Sequence, residues 1–268
     1  MSRKEVLVTG ATGLVGTGLL RELSLWPYNV TVLVRNRGDV AKFRKQGLKV
    51  ILGDIIEADS LAKFRSHFDL VFHLAAAIRQ FEKDGQLQKT NIDGLKNVLE
   101  TFGASSRKTI FVFASSIDAR IRENDYSRTK IAGEAIVREF AKSHPQFHFI
   151  NARIGNVCRE PDSFSEDILR LVKPANWRSC LLYHELGQKY FYPVELPILA
   201  KRLIEMGENE ADLGKTVEIY DAKVKVGEVC RDYIPPKMIF GRLLLTLWYS
   251  FGKLIRRGDL LIYLNSEK

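Results

Sequence analysis

The stretch "VLVTGATGLVG", residues 6 to 16, narrows most sharply what this chain can fold into. An apolar, β-branched run ends at Thr9, and Gly10, Gly13 and Gly16 follow in G-x-x-G-x-x-G spacing at the head of a helical pattern, Leu14–Leu25. Glycine at a strand end lets the backbone turn tightly and approach a ligand, while amides at a helix N-terminus attract negative charge. Isolated glycines also serve ordinary turns. Between a strand and a helix that open a β-α-β unit, the spacing reads as a dinucleotide pyrophosphate cradle built by Gly10, Thr12, Gly13, Leu14, Val15 and Gly16.

The rest of the first half supports that unit. Apolar runs at Val6–Thr9, Val30–Val34, Val50–Leu52, Leu70–Leu74, Ile110–Phe113 and Phe147–Asn151 mostly lack polar alternation. Strands buried on both faces read this way. Helical patterns at Leu14–Leu25, Leu61–Ser66, Gln86–Phe102 and Tyr126–Ser143 fall between them. The succession predicts an α/β fold, a Rossmann-type doubly wound parallel sheet, with ligand groups at the carboxyl ends of its strands. Past Asn151 the pattern loosens and prolines recur. The expected organisation is a dinucleotide-binding domain over residues 1–157, its sheet elements continuing as far as about 220. A smaller, irregular substrate lobe over 158–268 ends in an apolar helix.

Composition excludes more than it selects. Three cysteines without C-x-x-C spacing argue against a disulfide framework and a zinc site, and fit a reducing, cytoplasmic setting. Five histidines show no metal-ligand spacing, so no metal is expected. "MSRKEVLVTG" does not read as a signal peptide, so none is expected. The net charge of +9 points to an anionic partner. No recognition helix, zinc finger or ribonucleoprotein motif accompanies it, so nucleic acid is not expected. The apolar segment "MIFGRLLLTLWYSFGKLI", residues 238–255, has 18 residues, at the lower limit of a membrane span. A buried or substrate-covering helix is favoured there, ahead of an interfacial helix making peripheral membrane contact and, last, a true span.

"ENDYSRTK" sets Tyr126 and Lys130 four residues apart, on one face of a helix, with Asn124 or Asp125 as its cap. A tyrosine hydroxyl is a poor base at neutral pH, and a neighbouring ammonium is expected to lower its pKa. "FVFASSIDA" ends the fifth strand in Ser115 and Ser116, hydroxyls suited to holding a substrate oxygen. The second strand ends "VLVRNRG", so Arg35 and Arg37 stand where an NAD site usually offers a carboxylate. Guanidinium there favours NADP(H), with NAD(H) left open.

Together with the glycine loop these stretches resemble the short-chain dehydrogenase/reductase superfamily. The nearest likeness is its extended branch of epimerases, dehydratases, hydroxysteroid dehydrogenases and dihydroflavonol reductases. "GDI" (Gly53–Ile55) resembles the adenine-binding segment, with Asp54 and Ile55 toward the cofactor, and "FHLAAA" (Phe72–Ala77) the strand that passes beneath it, with Leu74, Ala75 and Ala76. "NIDGLKNVLE" resembles the following helix, where Asn91 is either the family's helix-bending residue or a plain cap. The resemblance makes Ser116, Tyr126 and Lys130 the catalytic set, brings Lys130 to the nicotinamide ribose, places Asn156 of "ARIGNV" near the cofactor, and implies a homodimer through the helices at Gln86–Phe102 and Tyr126–Ser143. The link from Ser116 to Tyr126, "IDARIREND", is shorter than the family's usual loop and weakens any sugar-nucleotide site copied from the epimerases.

The expectation is an oxidoreductase interconverting a carbonyl and a secondary alcohol on a small hydrophobic molecule, lipid-, steroid- or phenolic-like. Nucleotide-sugar epimerisation or dehydration is the first alternative, with Arg159, Lys173 and Arg178 available for a pyrophosphate. A non-catalytic, membrane-associated dinucleotide-binding protein is the second.

Overall fold

A computed structural model describes residues 3–64, 66–78, 85–121, 124–158 and 190–225. Seven strands form one parallel sheet: β1 (Lys4–Thr9), β2 (Tyr28–Val34), β3 (Lys49–Leu52), β4 (Leu70–His73), β5 (Thr109–Ser116), β6 (Phe147–Ile154) and β10 (Thr216–Ile219). Their order is β10-β6-β5-β4-β1-β2-β3. This is the doubly wound arrangement, and the strand order reverses beside β1, where such sheets bind ligands.

The inner strands feed two cores. Val6, Val8, Val32, Phe72, Val112 and Ile150 enter one, and Leu7, Leu33, Val71, Phe111 and Phe149 enter the other. Side chains alternate faces along a strand, so covering both faces with helices requires apolar residues at both parities. The first core is covered by α1 (Leu14–Leu23), α2 (Arg37–Lys45) and α7 (Leu196–Glu208), through Leu19, Phe43, Leu199 and Leu203. The second is covered by α3 (Ala58–Ala62), a composite helix over residues 86–103, and α6 (Asp125–Ser143), through Leu61, Leu95, Val98 and Val137. The composite helix alternates α4 (Gln86–Gln88), a π-helical Lys89–Asp93, α5 (Gly94–Val98) and a second π-helical turn, Leu99–Gly103.

Several elements differ from the sequence pattern. α3 ends at Ala62, where Phe64 N closes a turn on Leu61 O, instead of running to Ser66. β6 runs on to Ile154, so "ARI" belongs to the strand itself. α2 carries only Phe43 as a fully buried anchor, too little for a helical stripe to stand out.

Chain contacts separate residues 1–161 with 192–222 from residues 162–191 with 223–268. In the first unit, β7 (Asn156–Cys158) pairs with β9 (Pro193–Glu195), and α7 and β10 follow. In the second, β8 (Tyr190–Phe191) pairs antiparallel with β11 (Val224–Lys225). Arg159, Lys173, Arg178 and the apolar segment 238–255 lie outside the described residues. Among the described residues no helix is long and apolar enough to cross a membrane.

Candidate active site

Because all six pairings of the main sheet are parallel, the residues after each strand emerge at one edge. Gly10 follows β1, Arg35 follows β2, Asp54 follows β3, Leu74 to Ala77 follow β4, and Ser116 ends β5.

The glycine loop is packed on its inner side. Gly10 has φ +72°, and a Cβ there would lie 2.6 Å from Ala75 N and 2.7 Å from the Leu74 carbonyl carbon. A Cβ on Gly16 would meet Gly10 O at 2.2 Å. The strand-end backbones of β1 and β4 therefore touch, an approach reinforced by Leu74 N on Thr9 O at 3.2 Å and Ala75 N on Thr9 Oγ1 at 3.3 Å. On the outer side Gly13 caps α1 without a side-chain bond, and no acidic residue occupies the first turn. The first-turn amides thus lack an intrahelical or side-chain acceptor, a fit for a pyrophosphate. Thr12, Gly13 and Leu14 are exposed beside them and Val15 is half-buried.

Asp54 is half-buried and shapes its own loop: its carboxylate accepts from Ile56 N, and its backbone is bracketed by Ser60 Oγ. Ile55 is buried in the second core. Arg35 is exposed; Asn36 caps α2 by accepting from Gly38 N, which puts Arg37 at the helix start. No described residue forms an ion pair with Arg35 or Arg37. Asn91 lies in the first π-helical turn and is no cap. Its amide accepts from Ala77 N at 2.8 Å and donates to Ala77 O and Thr129 Oγ1, tying the post-β4 loop to α6.

α6 begins at Asn124, whose side chain accepts from Ser127 N while Ser127 Oγ pairs back with the Asn124 backbone. This capping box fixes the turn that presents Tyr126 and Lys130. Lys130 is buried, donates from Nζ to Ala114 O at 2.7 Å, and lies 5.1 Å from the Phe113 ring and 5.6 Å from the Tyr126 ring. Burial lowers its pKa to about 8, with Glu134 opposing. Tyr126 departs from the sequence expectation. Burial, then the charge of Asp118, pushes its hydroxyl up to about 12, and a hydrogen bond with Ser116 offsets this only in part. The ammonium is committed to a backbone carbonyl, so desolvation wins over the expected lowering.

Of the two serines, Ser115 is buried and donates to Glu134 Oε1 at 2.6 Å. Ser116 is half-buried, pairs with Tyr126, and accepts from Asp118 N to cap the 3-10 turn Ile117–Arg120. Asn156 follows β6: its side-chain oxygen accepts from Tyr192 N at 3.0 Å and its backbone N–H donates to Tyr192 O, clasping β7 to the approach of β9. Sequence spacing did not signal His73 beneath the centre. It is buried, bonded to Thr9 Oγ1 at 2.9 Å and stacked on Phe111 and Phe113. Burial and the Lys130 charge hold it down to about 3. Among the described residues no group of His, Cys, Asp or Glu could hold a metal ion.

A parallel doubly wound sheet, a glycine loop at its switch point and a Ser, Tyr, Lys cluster at the same edge define a dinucleotide-binding protein of the extended short-chain dehydrogenase/reductase type. Residues 6–190 match the NAD dependent epimerase/dehydratase family, and the chain belongs to that family. It is 28% identical over 185 residues to the UDP-glucose 4-epimerase of Pisum sativum, covering 58% of this chain and 53% of that protein. It is 30% identical over 138 residues to the ceramide reductase of Caulobacter vibrioides, covering 51% and 43%. The chain thus spans about half the length of these relatives. Among solved structures, Pen from Bacillus thuringiensis superposes with a TM-score of 0.67 at 22% identity, covering 86% of this chain and 72% of that one. Yeast methylglyoxal/isovaleraldehyde reductase Gre2, complexed with NADPH, gives 0.63 at 18% identity, covering 82% and 78%. At these identities the likeness is one of fold.

Proposed function

We propose that the chain is an NADP(H)-dependent oxidoreductase that interconverts a carbonyl and a secondary alcohol on a hydrophobic substrate. The observation that carries this reading is the cluster of Ser116, Tyr126 and Lys130 at the sheet edge that also holds the glycine loop. A bound nicotinamide supplies or takes the hydride. Tyr126, held up near 12, keeps its proton at neutral pH and so has one to give to a carbonyl oxygen as negative charge develops there. Ser116 shares a hydrogen bond with that hydroxyl and orients the same oxygen. Lys130 holds the end of β5 through Ala114 O and sets positive charge beside Tyr126.

Arg35 and Arg37, which have no ion pair among the described residues, favour the 2′-phosphate of NADP(H) over a bare ribose. The short 3-10 turn after Ser116 leaves little chain for contacts to a nucleotide sugar, and the apolar composition of "LLLTLWYSF" suits a hydrophobic substrate better than a diphosphate. A nucleotide-sugar substrate is the second reading, favoured by the 185-residue likeness to UDP-glucose 4-epimerase. The homodimer is proposed through the 86–103 and α6 helices, and sedimentation tests it.

A panel of hydrophobic ketones, sterols and UDP-sugars, followed by NADPH absorbance and by product analysis, separates the readings. Oxidation of NADPH with a hydrophobic ketone supports the reductase. Conversion of a UDP-sugar without net change in cofactor supports the epimerase and overturns the substrate class proposed here.

A further inference from the structure

Glu134 is one helical turn beyond Lys130 on α6, and its side chain is only 5% exposed. Its Oε1 accepts from Ser115 Oγ at 2.6 Å and from Arg153 Nε at 2.8 Å, and its Oε2 accepts from Arg153 Nη2 at 2.8 Å. Ser115 and Arg153 are themselves partners in the register of β5 and β6. One carboxylate therefore joins the three elements that carry or border the candidate catalytic set. Lys130, from the same helix, grips the same strand end through Ala114 O at 2.7 Å. Removing a partner from such a pair leaves a buried charge, so the arrangement is kept complete or lost as a unit.

We propose that Glu134, clamped by Arg153 and Ser115, is a positioning residue of the reaction centre: it locks the end of β5 against α6 and supplies the negative charge that keeps Lys130 an ammonium. This rests on the reading of Tyr126 and Lys130 as the centre. The alternative is a buried ion pair that only stabilises the fold.

The groups facing Lys130 decide what a change at Glu134 does. On α6 itself they are Tyr126 and Glu134, on β5 the Phe113 ring and the Ala114 carbonyl, and on β4 the buried His73, which stays neutral. Asp118 acts on Tyr126 from the 3-10 turn, and Arg153 stands beyond Glu134 on β6. Glu134 is the carboxylate that supports the charged amine against burial. Without it the ammonium is lost at lower pH.

The test is the titration of Lys130 in the full chain with 13C-labelled lysine, the resonance assigned by its loss in Lys130→Arg. Glu134→Gln keeps the shape and an acceptor for Ser115 but removes the charge. It should move the Lys130 midpoint down by about one pH unit, tenfold less ammonium at a fixed basic pH. Glu134→Asp should restore most of the shift. Arg153→Met, a second variant if Glu134→Gln does not fold, removes the cation behind the carboxylate and should move the midpoint up. An unchanged midpoint in the variant that folds overturns the inference. With a turned-over ketone, Glu134→Gln should lower kcat about fivefold at pH 8 and about tenfold well above it, shift the basic limb to lower pH, and leave KM within about twofold. A lower melting temperature with an unmoved pH profile is the result of a purely structural pair and also overturns it. If the midpoint moves but no substrate is reduced, the oxidoreductase reading fails while the linkage between Glu134 and Lys130 stands.

Discussion

Lys130 and His73 both rest against the ring of Phe113, and only one of them carries charge. His73 titrates near 3 in the fold against 6.5 when free. Between those values the unfolded chain binds the extra proton, so stability rises with pH through the window and is lost as pH falls from 6.5 toward 3. At about 1.4 kcal/mol per unit this is on the order of 5 kcal/mol. His73→Gln, unable to titrate, should flatten the difference between urea midpoints at pH 7 and pH 4; an unchanged difference would mean that other groups control acid unfolding. Lys130, lowered to about 8 from 10.5, adds a slope of the same sign between those two values. The Tyr126 and Lys130 pair was legible because its four-residue spacing is local. Their pKa directions were not, because burial and the Ala114 carbonyl come from tertiary packing. Glu134 with Arg153, 19 residues apart, and Asn156 with Tyr192, 36 apart, left no trace in local spacing for the same reason.

Among the elements, the strand–loop–helix at the start of the chain tolerates least change. Gly16→Ala would bring a methyl group to 2.2 Å from Gly10 O and 2.8 Å from Ala11 Cα, both backbone atoms. The expected loss is about 2–4 kcal/mol in urea unfolding, together with weakened dinucleotide binding. Gly47→Ala has a positive φ but nothing within 4 Å, so it should cost only about 1 kcal/mol. Equal costs at the two positions would remove the close-packing argument. The turn after β2 is where the proposed preference for NADP(H) is tested. Arg35→Ser should lower NADPH affinity by about tenfold and leave NADH within twofold in differential melting, since one guanidinium–phosphate contact is worth roughly 1.5–3 kcal/mol. An equal drop for both cofactors would assign Arg35 to the fold instead. These elements were readable from pattern because each pairs an apolar run with glycine or a cap. α7 and β10 were not, since "TVEI" mixes polar and apolar residues and the helix begins at Leu196–Pro197 within a proline-bearing stretch.

At the scale of the molecule, the sheet order brings residues from β1, β2, β4 and β5 to one edge although they lie a hundred positions apart, and a dinucleotide bound there should stabilise the whole first unit. NADPH at a hundred times its dissociation constant should add about 2.7 kcal/mol, read as a rise in melting temperature. The parallel sheet itself was evident from unalternating strands, whereas which residues between 158 and 222 return to the first unit depends on long-range packing that spacing does not encode. The most direct measurement compares NADPH oxidation by the full chain and by Tyr126→Phe, using the best hydrophobic ketone of the panel, with cofactor binding followed in parallel. If Tyr126 delivers the proton, turnover falls by about a thousandfold while NADPH affinity stays within twofold. Turnover within threefold of the unaltered chain would contradict the site and return the proton to another group.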